Sequence, residues 1–376
     1  MIPGNGMTPV IIRESSYDYN TLKPTIYNII ETLDHNPFKK NARILIKPNL
    51  LLPAKPEKAI TTHPLVVRAV AEYALDAGST VTIADSQATG TFRRLLNEGE
   101  YHKTLEDLDV QWVQFNTSVR KNIGEPFGEI DLAKDALEAD AVINLAKLKT
   151  HSQMLLTLGV KNLFGCVVGL KKPEWHMRAG VNRQMFTTLL VQIYRAINPC
   201  ITIIDGILAM EGQGPGKGGS PRRLGVLVAS NNAAAADAVV CNMVGLNPAR
   251  LPTHTVCEAL GVVEDDIKLD GVIPKVSNFK LPVLAPLTFG PGFLHGFMRR
   301  HLVQRPTVDP KLCKQCGECW QYCPANAINE DGNPLDFDYG KCIRCYCCIE
   351  VCPHGALRSQ ETRTGRLIRS IPGLRI

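Results

Sequence analysis

Eight of the 13 cysteines fall in two runs near the C-terminus. Cys313, Cys316, Cys319 and Cys323 are spaced C-x2-C-x2-C-x3-C and precede Pro324; Cys342, Cys345, Cys348 and Cys352 repeat the spacing and precede Pro353. Three thiolates two residues apart can wrap one iron–sulfur cubane, whereas the fourth lies too far along and crosses to the other. The spacing therefore predicts two [4Fe-4S] clusters, one on Cys313, Cys316, Cys319 and Cys352, the other on Cys342, Cys345, Cys348 and Cys323. Zinc would be satisfied by two C-x2-C pairs and has no use for the remaining cysteines. A disulfide framework needs an oxidising compartment, of which the sequence carries no sign. Cys347 lies beside Cys348 but outside the spacing and reads as a small buried apolar residue, as do Cys166, Cys200, Cys241 and Cys257.

A second constellation is basic. Lys147, Lys149 and His151 alternate, so on an extended chain they share one side of the backbone. Lys161 and Asn162 follow ten residues later, within Gly159–Gly165. Such a group would hold a carboxylate, a phosphate or an oxyanion forming during reaction; the alternative is a solvated basic loop. The glycine-rich stretch from Gly212 to Ser220 lacks phosphate-loop spacing, because only three residues separate Gly212 from Gly216 and Gly218 follows Lys217. It reads as a lid over the site, with Arg222 and Arg223 at its base, or as a plain flexible loop. No G-x-G-x-x-G follows the first strand, so a nicotinamide site is not supported.

The elements that would position these residues alternate. Val10–Arg13, Ala42–Ile46, Thr80–Ala84, Ala141–Leu145, Ile201–Ile204 and Leu224–Ala229 read as buried strands. Leu22–Leu33, Pro64–Ala77, Leu132–Glu138, Gln184–Ile197 and Ala233–Val244 read as helices, the second capped by Thr62. This order predicts an α/β fold, a mostly parallel sheet flanked by helices, with ligands beyond the C-terminal strand ends. Those ends are polar: Ile46 runs into Lys47-Pro48-Asn49, Ala84 into Asp85-Ser86 and Ile204 into Asp205-Gly206. The expected division is an α/β domain over 1–278, a Pro/Gly-rich linker over 279–304, a small α+β cysteine-rich domain over 305–357 and a basic tail over 358–376. The linker packs on the main domain or makes an interfacial membrane contact, although Pro and Gly break the helical pattern such a contact needs. The tail is disordered or lies across the cysteine-rich domain.

The 376 residues are 45% hydrophobic with a formal net charge of +6, values of a soluble globular protein. Basic residues are few and not interleaved with aromatic platforms, which argues against a nucleic-acid partner. No apolar run is long enough for a membrane span, and the N-terminal residues do not read as a signal peptide. With free thiols, this predicts a reducing cytoplasm.

The C-terminal run resembles bacterial-type two-cluster ferredoxins. From about Val10 to Pro248, the chain resembles the family known as domain of unknown function 362. The matching motifs are Ile46-Lys47-Pro48-Asn49-Leu50, Thr61-Thr62-His63-Pro64, Lys147-Leu148-Lys149-Thr150-His151, Lys161-Asn162-Leu163-Phe164-Gly165, Ile204-Asp205-Gly206 and Met210-Glu211-Gly212-Gln213-Gly214-Pro215. Members are often joined to such a ferredoxin, so the resemblance implies an iron–sulfur protein of anaerobic or redox metabolism, and it supplies no agreed substrate. It favours a ligand site over a solvated loop, drawn from Lys47, Asn49, His63, Lys147, Lys149, His151, Lys161 and Asn162. A fainter likeness, to the nickel-dependent lactate racemase fold with its Lys and His residues lining a cleft, is an analogy.

The expectation is a ferredoxin-dependent oxidoreductase. A soluble low-potential partner exchanges electrons with the clusters, which pass them to an anionic small molecule in the α/β domain. His151 is the expected proton donor, with Lys149 and Lys161 beside it; Lys47, Asn49, His63, Lys147 and Asn162 bind substrate, and His63 and His176 are further candidates for the proton. The alternative is a non-catalytic electron-transfer module that docks a partner redox enzyme.

Overall fold

A computed structural model describes residues 7–33, 36–169, 171–179, 182–263, 266–282, 303–362 and 364. The interfacial-contact expectation for the linker falls mainly on 283–302, and that for the tail mainly on 365–376; both stretches lie outside the described residues. No helix among the described residues is long and apolar enough to cross a membrane.

The chain opens with β1 (Thr8–Glu14), α1 (Tyr19–Thr32), β2 (Arg43–Pro48), α2 (Pro64–Asp76) and β3 (Thr80–Asp85). Next come α3 (Phe92–Glu98), α4 (Tyr101–Thr104), β4 (Val110–Gln114), β5 (Ser118–Asn122), β6 (Glu129–Ala133) and α5 (Lys134–Glu138). The centre holds β7 (Ala141–His151), β8 (Leu155–Thr157), α6 (Gly159–Asn162), α7 (Lys171–Ala179) and α8 (Arg183–Ile197). Then follow β9 (Ile201–Gly212), β10 (Gly219–Ser230), α9 (Ala233–Met243), α10 (Pro252–Ala259) and β11 (Ile267–Asp270).

Nine strands form one sheet in the order β11-β1-β10-β9-β7-β2-β3-β4, with β8 paired to β7. The run β9-β7-β2-β3-β4 is parallel, whereas β10 is antiparallel to both β1 and β9. Both faces are covered, and the alternation of side chains decides which residue meets which helix. Ile44 and Ile46 of β2 join Ile26, Ile30, Val66 and Val70 of α1 and α2 in one core. Leu45 joins Leu189, Leu190 and Ile193 of α8 in the other. Val10, Ile12, Val226 and Val228 pack on Ala236 and Val240 of α9.

Local departures from the sequence reading have physical causes. Leu132–Glu138 is not one helix: β6 takes its first residues, pairing with β5, and α5 starts at Lys134. The cap of α2 is His63, whose Nδ1 accepts the Leu65 amide; Thr62 is buried and bridges the Asn49 amide and the Leu145 carbonyl instead. β7 runs to His151, so Lys147, Lys149 and His151 all lie on a central strand. The glycine-rich stretch is a packed hairpin connection between β9 and β10, with Gly214 against Thr150, where an added Cβ would meet the Thr150 carbonyl at 2.3 Å.

A small C-terminal module follows, with β12 (Arg305–Val308), α11 (Glu318–Gln321), β13 (Ile328–Asn329), β14 (Asp336–Phe337), α12 (Cys347–Val351) and β15 (Leu357–Gln360). β12 pairs with β15, so the module extends past residue 357 into the start of the expected tail.

At the parallel strand ends, neighbouring strands neutralise each other. Lys147 Nζ lies 2.7 Å from Asp205 Oδ2 on β9, and Lys47 Nζ lies 2.8 Å from Asp85 Oδ1 on β3. All four side chains are buried, and Tyr17 donates its hydroxyl to Asp205 at 2.8 Å. Removing one partner of such a pair strands the other charge. Asp205→Ala should therefore lower unfolding stability by about 3–5 kcal/mol in urea titrations, and Lys147→Met/Asp205→Leu by clearly less. Equal losses would show that packing, not the charge pair, holds these strand ends.

Candidate functional site

The site is built where the C-terminal module sits on the strand ends. Contacts between the two parts include Thr89, which donates its hydroxyl to Glu318, and Ser359, whose Oγ donates to Gln213 Oε1 at 3.3 Å. Gly216 approaches the Glu350 carbonyl so closely that a Cβ would lie 3.1 Å from it. Between the parts lies a recess with about 640 Å³ of space between atoms, partly open to solvent. Its α/β wall includes Asn49, Ser86, Lys149, Lys161 and Lys172; the C-terminal module contributes Tyr322, Cys347, Glu350 and Val351.

α12 explains how one short segment serves two sites. Cys347, Glu350 and Val351 stand at helical spacing i, i+3, i+4 and line the recess. Cys348 and, at the end of the helix, Cys352 belong to the thiol groups behind it. Cys319 has Cys352, Cys316 and Cys313 as its charged neighbours, and these four line a second recess. Cys323 has Cys345 and Cys342 as neighbours, and Cys348 has Cys345, Cys342, Cys323 and Cys319. The amides of Ala327 and Ala356 donate to the sulfurs of Cys323 and Cys352, at 3.4 and 3.3 Å. Grouped thiols, one group around a recess, with amides aimed at sulfur fit cubane clusters. Among the described residues, no group of three or more Cys, His, Asp or Glu is arranged to hold a single metal ion.

The expected binding residues separate. Lys47 and Lys147 are consumed by their ion pairs. β7 is irregular at this point: its partner on β9 jumps from Asp205 at Lys147 to Met210 at Lys149. His63 caps α2 and stacks on Tyr17 at 3.6 Å, beside Asp205; burial pushes it down to about 4. Lys147 and His63 are therefore not among the residues lining the recess, whereas Asn49, Lys149, His151, Lys161, Asn162 and His176 are. Asn49 is the hinge of a buried amide chain: its Oδ1 accepts from Lys149 Nζ at 2.8 Å, and its Nδ2 donates to Asn162 Oδ1 at 2.8 Å. Asn162 in turn donates to Asn144 at 2.8 Å.

Lysine electrostatics are set by burial. Lys149 donates to Asn49 and to the Ile60 carbonyl, both neutral. Burial, then the Lys161 ammonium, pushes it down to about 7. Lys172 donates to the Ser86 carbonyl, and burial pushes it to about 8 against the pull of Asp85. Burial also lowers Lys161, with Glu350 opposing. Lys161 lies over the Phe164 ring at 5.9 Å and has no hydrogen-bond or ion-pair partner among the described residues.

His151 is fixed by its backbone. Its Nδ1 accepts the amides of Gln153 and Met154, at 3.1 and 3.2 Å, so the ring proton is on Nε2. Nε2 lies 2.8 Å from Glu350 Oε1, close but poorly aligned. Burial and Lys161 push His151 to about 4, so it is neutral near pH 7. Glu350 is ionised: burial opposes its charge, but His151 and Lys161 outweigh that and hold it at about 2. Thr157 Oγ1 and His176 Nδ1 are buried without partners on residues that line the same recess. Lys172, Ser86, Tyr322 and Glu350 escaped the sequence reading. Only Ser86, directly after a strand end, carried a local signal.

The family described as Domain of unknown function (DUF362) matches residues 44–242. The chain belongs to the DUF362 family. A model described as a 4Fe-4S dicluster domain matches residues 305–353, so this DUF362 protein carries an iron–sulfur domain of electron-transfer type. A thylakoid-associated protein of Synechocystis sp. is 39% identical over 288 residues, 74% of this chain and 89% of the relative. Pyruvate synthase subunit PorD of Methanocaldococcus jannaschii is 39% identical over 56 residues, 14% of this chain and 63% of that one. The lactate racemase apoprotein of Thermoanaerobacterium thermosaccharolyticum aligns over 62% of this chain and 57% of its own, with a TM-score of 0.40 and 15% identity.

The shared recess wall has a consequence for this DUF362 protein. A protease site inserted between residues 282 and 303, once cleaved, should leave two fragments that co-elute in gel filtration at physiological salt. Separate elution would show that the covalent linker, not the interface, holds the parts together.

Proposed function

We propose that this DUF362 protein is an iron–sulfur oxidoreductase, in which low-potential electrons from two [4Fe-4S] clusters reach an anionic small molecule bound in the recess between the modules. The observation that carries this reading is a convergence. Lys161 without a partner, the unpartnered Thr157 and His176 atoms and the poorly aligned His151–Glu350 pair surround one recess, and α12, which lines it through Cys347, Glu350 and Val351, also carries Cys348. The clusters, ligated in the crossed pattern Cys313/Cys316/Cys319/Cys352 and Cys342/Cys345/Cys348/Cys323, supply single electrons when bound.

The chain's own residues do the rest. Lys161 and Lys172 neutralise the anion. Lys149, with two of its three donors engaged, directs the third at the ligand and gives a proton at neutral pH, because its ordinary value near 10.5 has been brought down to about 7. His151 stays neutral and holds Glu350 in place. Asn49 and Asn162 orient Lys149. Free thiols suit a reducing cytoplasm. A second reading, an electron-transfer module that docks a partner redox enzyme, is favoured by relatives that are themselves named as subunits, such as PorD. The exposed Cys316 side of the module suits contact with a soluble redox partner in either reading.

Calorimetric titration of the anaerobic protein with acetate, oxalate, inorganic phosphate and pyrophosphate tests the site. At least one should bind, and Lys161→Gln should weaken it by about 1.5–3 kcal/mol, the worth of a charged hydrogen bond. Binding should weaken as pH rises through about 7 to 8, because Lys149 and then Lys172 lose their protons. Binding that ignores Lys161 would sink the site, and no binding by any anion would favour the docking module.

A further inference from the structure

Three ammonium groups line the recess from different elements of the α/β domain: Lys149 from β7, Lys161 from α6 and Lys172 from α7. Two of them are tied to the wall at separate points. Lys149 Nζ is held by Asn49 Oδ1, just past β2, at 2.8 Å and by the Ile60 carbonyl at 2.6 Å. Lys172 Nζ is held by the carbonyl of Ser86, just past β3. β2 and β3 are neighbours in the sheet, so Asn49 and Ser86 follow adjacent strand ends, whose spacing is about 4.8 Å. Among the described residues, the lining carboxylates are Asp85 and Glu350. Asp85 is spent, because its oxygens accept from Lys47 and from the amides of Leu50 and Ser86. Even with Glu350 counted as a full negative charge, the three ammonium groups leave a surplus of two. The wall also carries hydrocarbon, from Leu50, Leu51, Ala88 and Phe164, and two buried polar atoms without partners, Thr157 Oγ1 and His176 Nδ1.

We propose that the anion of this recess is a short-chain dicarboxylate, with one carboxylate taken by Lys149, the other by Lys172, Lys161 shared between them and the carbon chain against the apolar wall. This narrows the anion reading above and rests on it. Two charges on separate groups match two ammonium groups tied to different strand ends. A monocarboxylate would leave one of those buried ammonium groups without a counter-charge, which is costly where water is scarce. Lys149, at about 7, and Lys172, at about 8, both gain proton affinity when an anion faces them. The Thr157 hydroxyl, which has no partner in the protein, has a proton to give to a carboxylate oxygen that the lysines leave over.

The test is calorimetric titration of the anaerobic holoprotein with succinate and glutarate, against butyrate, which has the chain length of succinate and one carboxylate. The tighter of the two dicarboxylates should bind at least about tenfold better than butyrate, the worth of one more charged hydrogen bond. Lys149→Gln and Lys172→Gln should each weaken that dicarboxylate by about tenfold or more, whereas butyrate should lose affinity in only one of them. Circular dichroism and iron content show whether each variant is folded; if one is not, the wild-type comparison of dicarboxylate with butyrate decides. If butyrate binds as tightly as both dicarboxylates, or dicarboxylate binding ignores either lysine, while acetate or phosphate still binds through Lys161, the dicarboxylate assignment is wrong and the anion site stands. If none of these anions binds, the anion reading falls and the assignment falls with it.

Discussion

Burying ammonium groups is the constraint around which this molecule is arranged. Of the five lysines at or near the C-terminal ends of the parallel strands, Lys47, Lys147, Lys149 and Lys172 are buried and Lys161 is half-buried. A buried charge is tolerated when it is paired or made neutral. Lys47 and Lys147 are paired with carboxylates from adjacent strands, and those pairs pin β2 to β3 and β7 to β9. The other three have no carboxylate of their own: Lys149 and Lys172 are held by neutral acceptors, and Lys161 by none. Their cost is met by depressed proton affinity and by Glu350, which arrives from the other module.

Glu350 therefore ties the architecture to the chemistry. It sits on the helix that also carries Cys348, so the carboxylate beside His151 is fixed by the same turn that presents the Cys348 thiol. The C-terminal module forms one wall of the recess and brings Tyr322, Cys347 and Glu350 next to the lysines. A low local dielectric strengthens every interaction of an anion with those ammonium groups. In the proposed reading, the module is both the source of electrons and one wall of the recess.

Much of this was legible in the sequence. The cysteine spacing revealed the 4Fe-4S domain, because the motif is local and confined to a few dozen residues. The buried strands and most helices were legible because hydrophobic periodicity reports burial on two faces. The polar strand ends pointed to the edge of the sheet where the recess lies. What was not legible came from contacts between distant segments. Alternation suggested that Lys147 joins Lys149 and His151, but Asp205, 58 residues on, captures it, and β7 is irregular there. His63 carries a family motif and is spent on capping α2 and stacking on Tyr17. Lys172 and Glu350 belong to no local pattern, and reach the site only through the packing of α7 and α12. Cys347, outside the ligand spacing, read as a small buried residue; it is buried, and its place in the recess lining follows from the packing of α12.

The central claim is that an anion sits between the lysines and the thiol group of Cys342, Cys345, Cys348 and Cys323. Electron–nuclear double resonance on the dithionite-reduced protein with inorganic phosphate addresses it directly. The account predicts a phosphorus coupling to one cluster only, lost in Lys161→Gln. Absence of any phosphorus coupling under conditions where phosphate binding is confirmed by calorimetry would contradict it.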